Sequence, residues 1–96
     1  MSNPVTSIFG DKRWFNEAGE YHRVDGPAIV YENGDMSWYL NGERHRSDGP
    51  AVVVGTNSFW YFHGCRYRNL NDFCAVAGIT GKHKTMMLLK YSQEFA

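Results

Sequence analysis

No run of apolar residues in this chain approaches the roughly 20 needed to cross a bilayer, so a helical membrane span is excluded. Met1 to Phe9 also lacks the basic start and apolar stretch of a secretory signal. Cysteine is scarce: Cys65 and Cys74 are too few for the dense disulfide framework of small secreted domains, and reduced thiols in a cytosol are the expectation. Net charge is missing as well. Ten Lys and Arg balance 10 Asp and Glu, which argues against long polynucleotides held by a global positive field. There is no Gly-rich phosphate loop, paired-carboxylate site or nucleophile elbow, so no enzyme and no cofactor are expected.

What is plentiful is aromatic. Six Phe, six Tyr and three Trp in 96 residues exceed what one small core needs, so their placement has to be explained. The charges, though balanced, are divided: residues 1–42 hold three basic and six acidic side chains, and residues 43–96 hold seven and four. That mild polarity could orient a partner.

Internal repetition accounts for much of the aromatic excess. The segment Trp14 to Ala28 returns from Trp38 to Ala51, and a truncated copy runs from Trp60 to Arg68. The tryptophans are 24 and 22 residues apart, and the His-Arg-x-Asp-Gly-Pro-Ala blocks that begin at His22 and His45 are 23 apart. Periods of this length mark stacked supersecondary units. Asn41-Gly42 is a type I′ hairpin signal, since both central residues need positive φ; Asn33-Gly34 and His63-Gly64 stand in similar places, with Gly19 in a longer loop. Pro27 and Pro50 cannot lie inside a central strand, so each opens the strand that follows its Asp-Gly.

Period two puts Met36, Trp38 and Leu40 on one face and Ser37 and Tyr39 on the other. The Trp face is expected to be core. The opposite face then carries an aromatic row of Phe15, Tyr39 and Tyr61. After Arg68 the pattern changes: Asn69 reads as an N-cap, Leu70, Phe73, Cys74 and Ala77 form one apolar helical stripe, and Gly78 ends it. Thr80 caps a second helix, about Gly81 to Tyr91, whose broadly apolar composition means that it should pack rather than project. The predicted fold is a β-rich α+β domain: stacked β-hairpin repeats in an antiparallel meander sheet, capped by a C-terminal two-helix hairpin. It comprises residues 1–96, with repeats at 14–37, 38–59 and 60–68 and the helical cap at 69–96.

The block Trp-Tyr-x-x-Gly-x-x-His-Arg-x-Asp-Gly-Pro-Ala resembles a repeat abundant in small proteins of tailed bacteriophages, and is loosely similar to the MORN repeat of β-hairpin stacks. Leu-Leu-Lys-Tyr at 88–91 is also similar to the end of these phage proteins. The resemblance implies a phage accessory protein acting in the host bacterial cytoplasm on a host protein, by binding and modulating or inhibiting it. It brings no catalytic residues. MORN repeats are associated with scaffolding, self-association and lipid headgroup contact.

Two groups of charged residues stand out. His22, Arg23 and Asp25, with His45, Arg46 and Asp48, recur in each full copy, as hydrogen bonding that joins one hairpin to the next would require; a catalytic set needs to occur only once. Arg44 and Arg46 match Arg66 and Arg68 at 22-residue spacing, and period two places all four beside Tyr39 and Tyr61. Arg with aromatics suits an acidic protein surface, a phosphate or a base. The alternative is a solvated face paired internally through Glu43, Asp48 and Asp25. His63, Cys65, Cys74 and His83 could ligate zinc by type, but their spacing matches no usual site, and no metal is expected. Partner readings therefore divide between a host protein, a nucleotide or nucleic acid, and a second copy joined at the uncapped N-terminal sheet edge, with no membrane partner.

Overall fold

Each tryptophan strand belongs to two hydrogen-bonded ladders, one before the indole and one after it. The computed structural model describes residues 4–91. Its strands are β1 (Val5–Thr6), β2 (Lys12–Arg13), β3 (Ile29–Val30), β4 (Met36–Ser37), β5 (Tyr39–Leu40), β6 (Glu43–Arg44), β7 (Val52–Val54), β8 (Asn57–Phe62) and β9 (Cys65–Tyr67). Two helices follow, α1 (Leu70–Ala77) and α2 (Gly81–Tyr91). The main sheet runs β1-β2-β3-β4-β7-β8-β9 with every neighbour antiparallel. Strands β5 and β6 form a second ladder, and Phe15 and Tyr21 make its counterpart in the first repeat as an isolated bridge. The expected meander with helices at its C-terminal end is the observed architecture.

The tryptophans join the ladders. Trp14 and Trp38 donate their N–H groups to the carbonyls of Ala28 and Ala51, at 2.8 and 2.7 Å, and accept from the N–H groups of His22 and His45, at 3.0 and 3.1 Å. Between ladders the chain reverses where the turn chemistry demands. Asn41 and Gly42 have φ of 48° and 83°, and His63 and Gly64 have 48° and 82°, both type I′ pairs. Asn33-Gly34 differs: only Gly34 has positive φ, and the loop is a residue longer, closed by Tyr31 N–H on the Asp35 carbonyl at 2.9 Å.

The core lies between the last hairpin and the helices. Trp60 is 1% exposed, with Phe73 and Tyr91 edge-on at centroid distances of 4.8 and 4.9 Å; Leu70, Cys74, Ile79 and Met87 complete the cluster. Asn69 caps α1 by accepting from the N–H groups of Asn71 and Asp72, and Gly78 ends it in the left-handed conformation. The Thr80 carbonyl accepts from Lys84 N–H at 3.3 Å at the start of α2. That helix packs, as expected, through one side: Met87 is buried and Leu88 and Tyr91 half-buried, while Met86 and Leu89 are exposed. Residues 92–96 of the expected cap lie outside the described residues.

The tryptophan face requires a correction. Trp14 and Trp38 are only half-buried, and each is covered by an arginine rather than by a core. The third repeat lacks the Asp-Gly-Pro loop that positions such an arginine, and the helices take its place over Trp60. Among the described residues no helix is long and apolar enough to cross a membrane.

Candidate functional site

Alternation along the second ladder sets one side chain from each strand in a row. Phe15, Tyr39 and Tyr61 each follow their tryptophan directly, and the returning strands supply Tyr21, Arg44 and Arg66. Phe15 stacks on Tyr21 at 5.1 Å, and Tyr21 meets Tyr39 at 5.3 Å. Arg44 is paired across the ladder with Tyr39 and donates from Nε to its hydroxyl at 3.2 Å. The Arg44 Cζ lies 5.9 Å from the Tyr39 ring centre and 5.4 Å from that of Tyr61. Arg66 is paired with Tyr61 and lies 4.9 Å over Phe59. The helices pack on the Trp60 and Phe62 side of β8, so Tyr39 and Tyr61 remain half-buried, with Arg44 and Arg66 exposed between and beside them.

The four arginines therefore do not share one face. Arg44 and Arg66 join the row, whereas Arg46 lies over Trp38 with Cζ 4.0 Å from the ring centre. Its Nε donates to Asp48 at 3.0 Å and a terminal nitrogen to the Pro50 carbonyl at 3.1 Å. The physical cause is that β6 ends at Arg44, so strict alternation no longer holds when the chain enters the Asp-Gly-Pro loop. Arg68 is also beyond its strand, one residue after β9, and is exposed.

The repeated block makes the same contacts in both copies. Arg23 lies over Trp14 at 3.9 Å and donates to Asp25 at 3.0 Å and the Pro27 carbonyl at 3.2 Å. His22 Nδ1 accepts from Asn41 N–H at 2.9 Å, and His45 Nδ1 accepts from His63 N–H at the same distance. Each histidine thus holds the hairpin turn of the following repeat. His45 is buried, 4.5 Å from the Phe62 ring and 4.1 Å from that of His63. Burial, with the neighbouring His63 charge, lowers its pKa against the opposing pull of Glu43.

Two hollows border these groups. A cavity of about 540 Å³ separates the successive Asp-Gly-Pro loops, with Trp38 and Leu40 among its lining residues. A shallower one of about 370 Å³ is lined by Tyr39, Gly42, Glu43, Arg44, Tyr61 and Gly64.

Ion pairing distinguishes the two sets of arginines. Arg13 pairs with Asp11, Arg23 with Asp25 and Arg46 with Asp48, while Glu43 lies 3.6 Å from His63. Arg44 and Arg66 have no carboxylate partner among the described residues. The internally paired face anticipated through Glu43, Asp48 and Asp25 is thus found at Arg23 and Arg46, not at the tyrosine row. Tyr21 was not anticipated in that row, although it precedes His22 as Arg44 precedes His45. Among the described residues no group of three His, Cys, Asp or Glu side chains could hold a metal ion, and Cys65 and Cys74 are both free thiols. No protein-family model, no curated protein and no solved structure matches the chain.

Proposed function

We propose that this chain is a phage-type accessory protein that binds a host protein in the bacterial cytoplasm and modulates or inhibits it by covering part of its surface. The observation that carries the reading is the Tyr39-Arg44-Tyr61-Arg66 row. Two arginines without carboxylate partners among the described residues lie against aromatic rings on a face the helices leave open. Aromatic and Arg side chains are the ones that dominate binding energy at protein interfaces. The rings hold Arg44 in place, so less side-chain freedom is lost on binding than for an unsupported arginine. The His-Arg-x-Asp-Gly-Pro-Ala blocks are bonded within and between repeats and act as the frame.

The phage setting rests on the repeat resemblance, and the surface rests on geometry. Capture of a partner from host lysate by the wild-type chain, lost in Arg44→Glu/Arg66→Glu, supports the reading; equal capture by both chains overturns it.

A second reading, self-association, has its own observation. Among the described residues strand β1 is the edge of the main sheet away from the helices, and Val5 within it and Ile8 and Phe9 in the turn after it are 60, 94 and 75% exposed. Sedimentation showing only monomers at high concentration removes it.

A further inference from the structure

We infer that the occupant of the tyrosine and arginine row is an acidic protein surface, which presents one carboxylate to Arg44 and another to Arg66. This rests on the reading of that row as the binding surface, and it adds the chemistry of what is bound.

Arg44 and Arg66 lie on strands either side of Tyr61. Gly64 N–H donates to the Arg44 carbonyl at 2.8 Å and Arg46 N–H to the Tyr61 carbonyl at 3.3 Å, which places β6 beside β8, while β9 pairs with β8 directly. Two strand spacings put the Cα atoms of the two arginines about 10 Å apart. That is also the separation of side chains seven residues apart on one helix face. Each guanidinium can take a carboxylate by a charge-assisted, two-point hydrogen bond.

The same geometry disfavours a nucleobase. Base recognition on single strands needs open aromatic faces for stacking. Here the rings are already engaged: Tyr39 contacts Tyr21 and Arg44, Tyr61 contacts Arg44, and Phe59 is covered by Arg66. What remains outward is charge and hydrogen-bond donors, which suit an anion without a ring. A net charge of zero removes the general attraction a polynucleotide would otherwise supply. The carboxylate lining the adjoining hollow, Glu43, lies 3.6 Å from His63 Nδ1, and Leu40, not Tyr39, is its partner across the ladder.

The test is amide chemical-shift mapping of the full chain at low salt with two probes of equal length, oligo-glutamate and oligodeoxythymidylate. Oligo-glutamate is expected to shift residues around Tyr39, Arg44, Tyr61 and Arg66 and to bind about tenfold or more tighter than oligodeoxythymidylate. Arg44→Gln/Arg66→Gln is expected to abolish the shifts with the spectrum otherwise unchanged, and Arg44→Lys/Arg66→Lys to retain part of them. Equal or tighter oligodeoxythymidylate binding at these residues overturns the inference in favour of a nucleic acid. Oligo-glutamate shifts that fall elsewhere, or that survive in the Gln variant, overturn it too. If oligo-glutamate fails to bind while capture from lysate still depends on Arg44 and Arg66, the surface stands and only its acidic occupant is lost.

Discussion

Arg46 lies over Trp38 with its Cζ 4.0 Å from the centre of the indole, and Gly49 closes on the guanidinium from elsewhere in the same loop. The relationship explains why the repeat needs Arg, Asp and Gly in one short string. The indole supplies a π-face, Asp48 and the Pro50 carbonyl fix the guanidinium plane, and the glycine leaves room for it. The first repeat solves the same problem with Arg23, Trp14, Asp25 and Gly26. A side chain held this way is a roof over a half-buried tryptophan, in a fold too thin to bury one in every repeat.

Gly49→Ala tests that roof. A Cβ at this position would sit 2.7 Å from Arg46 Cζ, against 3.0 Å from Arg23 Cζ for Gly26→Ala. Arg46 is long and flexible, but it cannot move away without loosening the indole, Asp48 and Pro50 contacts together. A loss of about 1 to 2 kcal/mol in urea unfolding is expected, with a smaller loss for Gly26→Ala. In an Arg46→Ala background Gly49→Ala should cost almost nothing more. Full additivity of the two changes would show that the glycine does not act through the arginine.

Stability should fall on acidification through His45. Its Nδ1 accepts the His63 N–H, so it must carry a lone pair, and burial lowers its pKa from the ordinary 6.5. A group whose folded pKa lies below its unfolded one binds more protons when unfolded. Its contribution is therefore complete above about pH 6.5 and is lost as pH falls through the lowered folded value. His45→Gln keeps an acceptor that does not titrate, so its melting temperature should change less between pH 7 and pH 5 than that of the wild type. Parallel curves for the two proteins would remove His45 as the source.

Trp60 and Trp14 should differ in cost despite their shared position in the repeat. Trp60→Ala removes a side chain that is 1% exposed and packed on Phe73 and Tyr91, for a loss of about 3 to 5 kcal/mol. Trp14→Ala removes a half-buried ring under one arginine, and a loss below about 2 kcal/mol is expected. Chemical denaturation of both variants decides this; equal losses would mean that the helices contribute no more to Trp60 than Arg23 does to Trp14.

Local chemistry was the part of the fold legible in the sequence. Asn41-Gly42, His63-Gly64, Asn69 and Gly78 each act through their own backbone, and each does what its residue type implies. The row of Phe15, Tyr39 and Tyr61 was legible for the same reason, because alternation within one strand needs no knowledge of its neighbours. Arg46 was misplaced because alternation was carried past the end of β6, into a loop where Asp48 and Trp38 determine the direction of the side chain. Which side of α2 packs was not legible at all: composition makes the helix apolar, but only tertiary contacts decide that Met87 meets Trp60 while Met86 and Leu89 stay exposed.

Reactivity of the two thiols gives a last check on where the core lies. Cys65 is exposed on β9, while Cys74 is fully buried in α1 and burial pushes its thiol pKa up, against a smaller pull from Lys84. A disulfide reagent in excess at mildly alkaline pH should therefore titrate one thiol quickly and the other only as the structure opens. Cys65→Ser should delete the fast phase alone. Because Cys74 shares a cluster with Trp60, Phe73 and Met87, its slow rate should rise with urea in step with global unfolding. A slow phase insensitive to urea would mean instead that α1 lifts from β8 and β9 by itself, and that the helices are a cap able to open while the repeats remain folded.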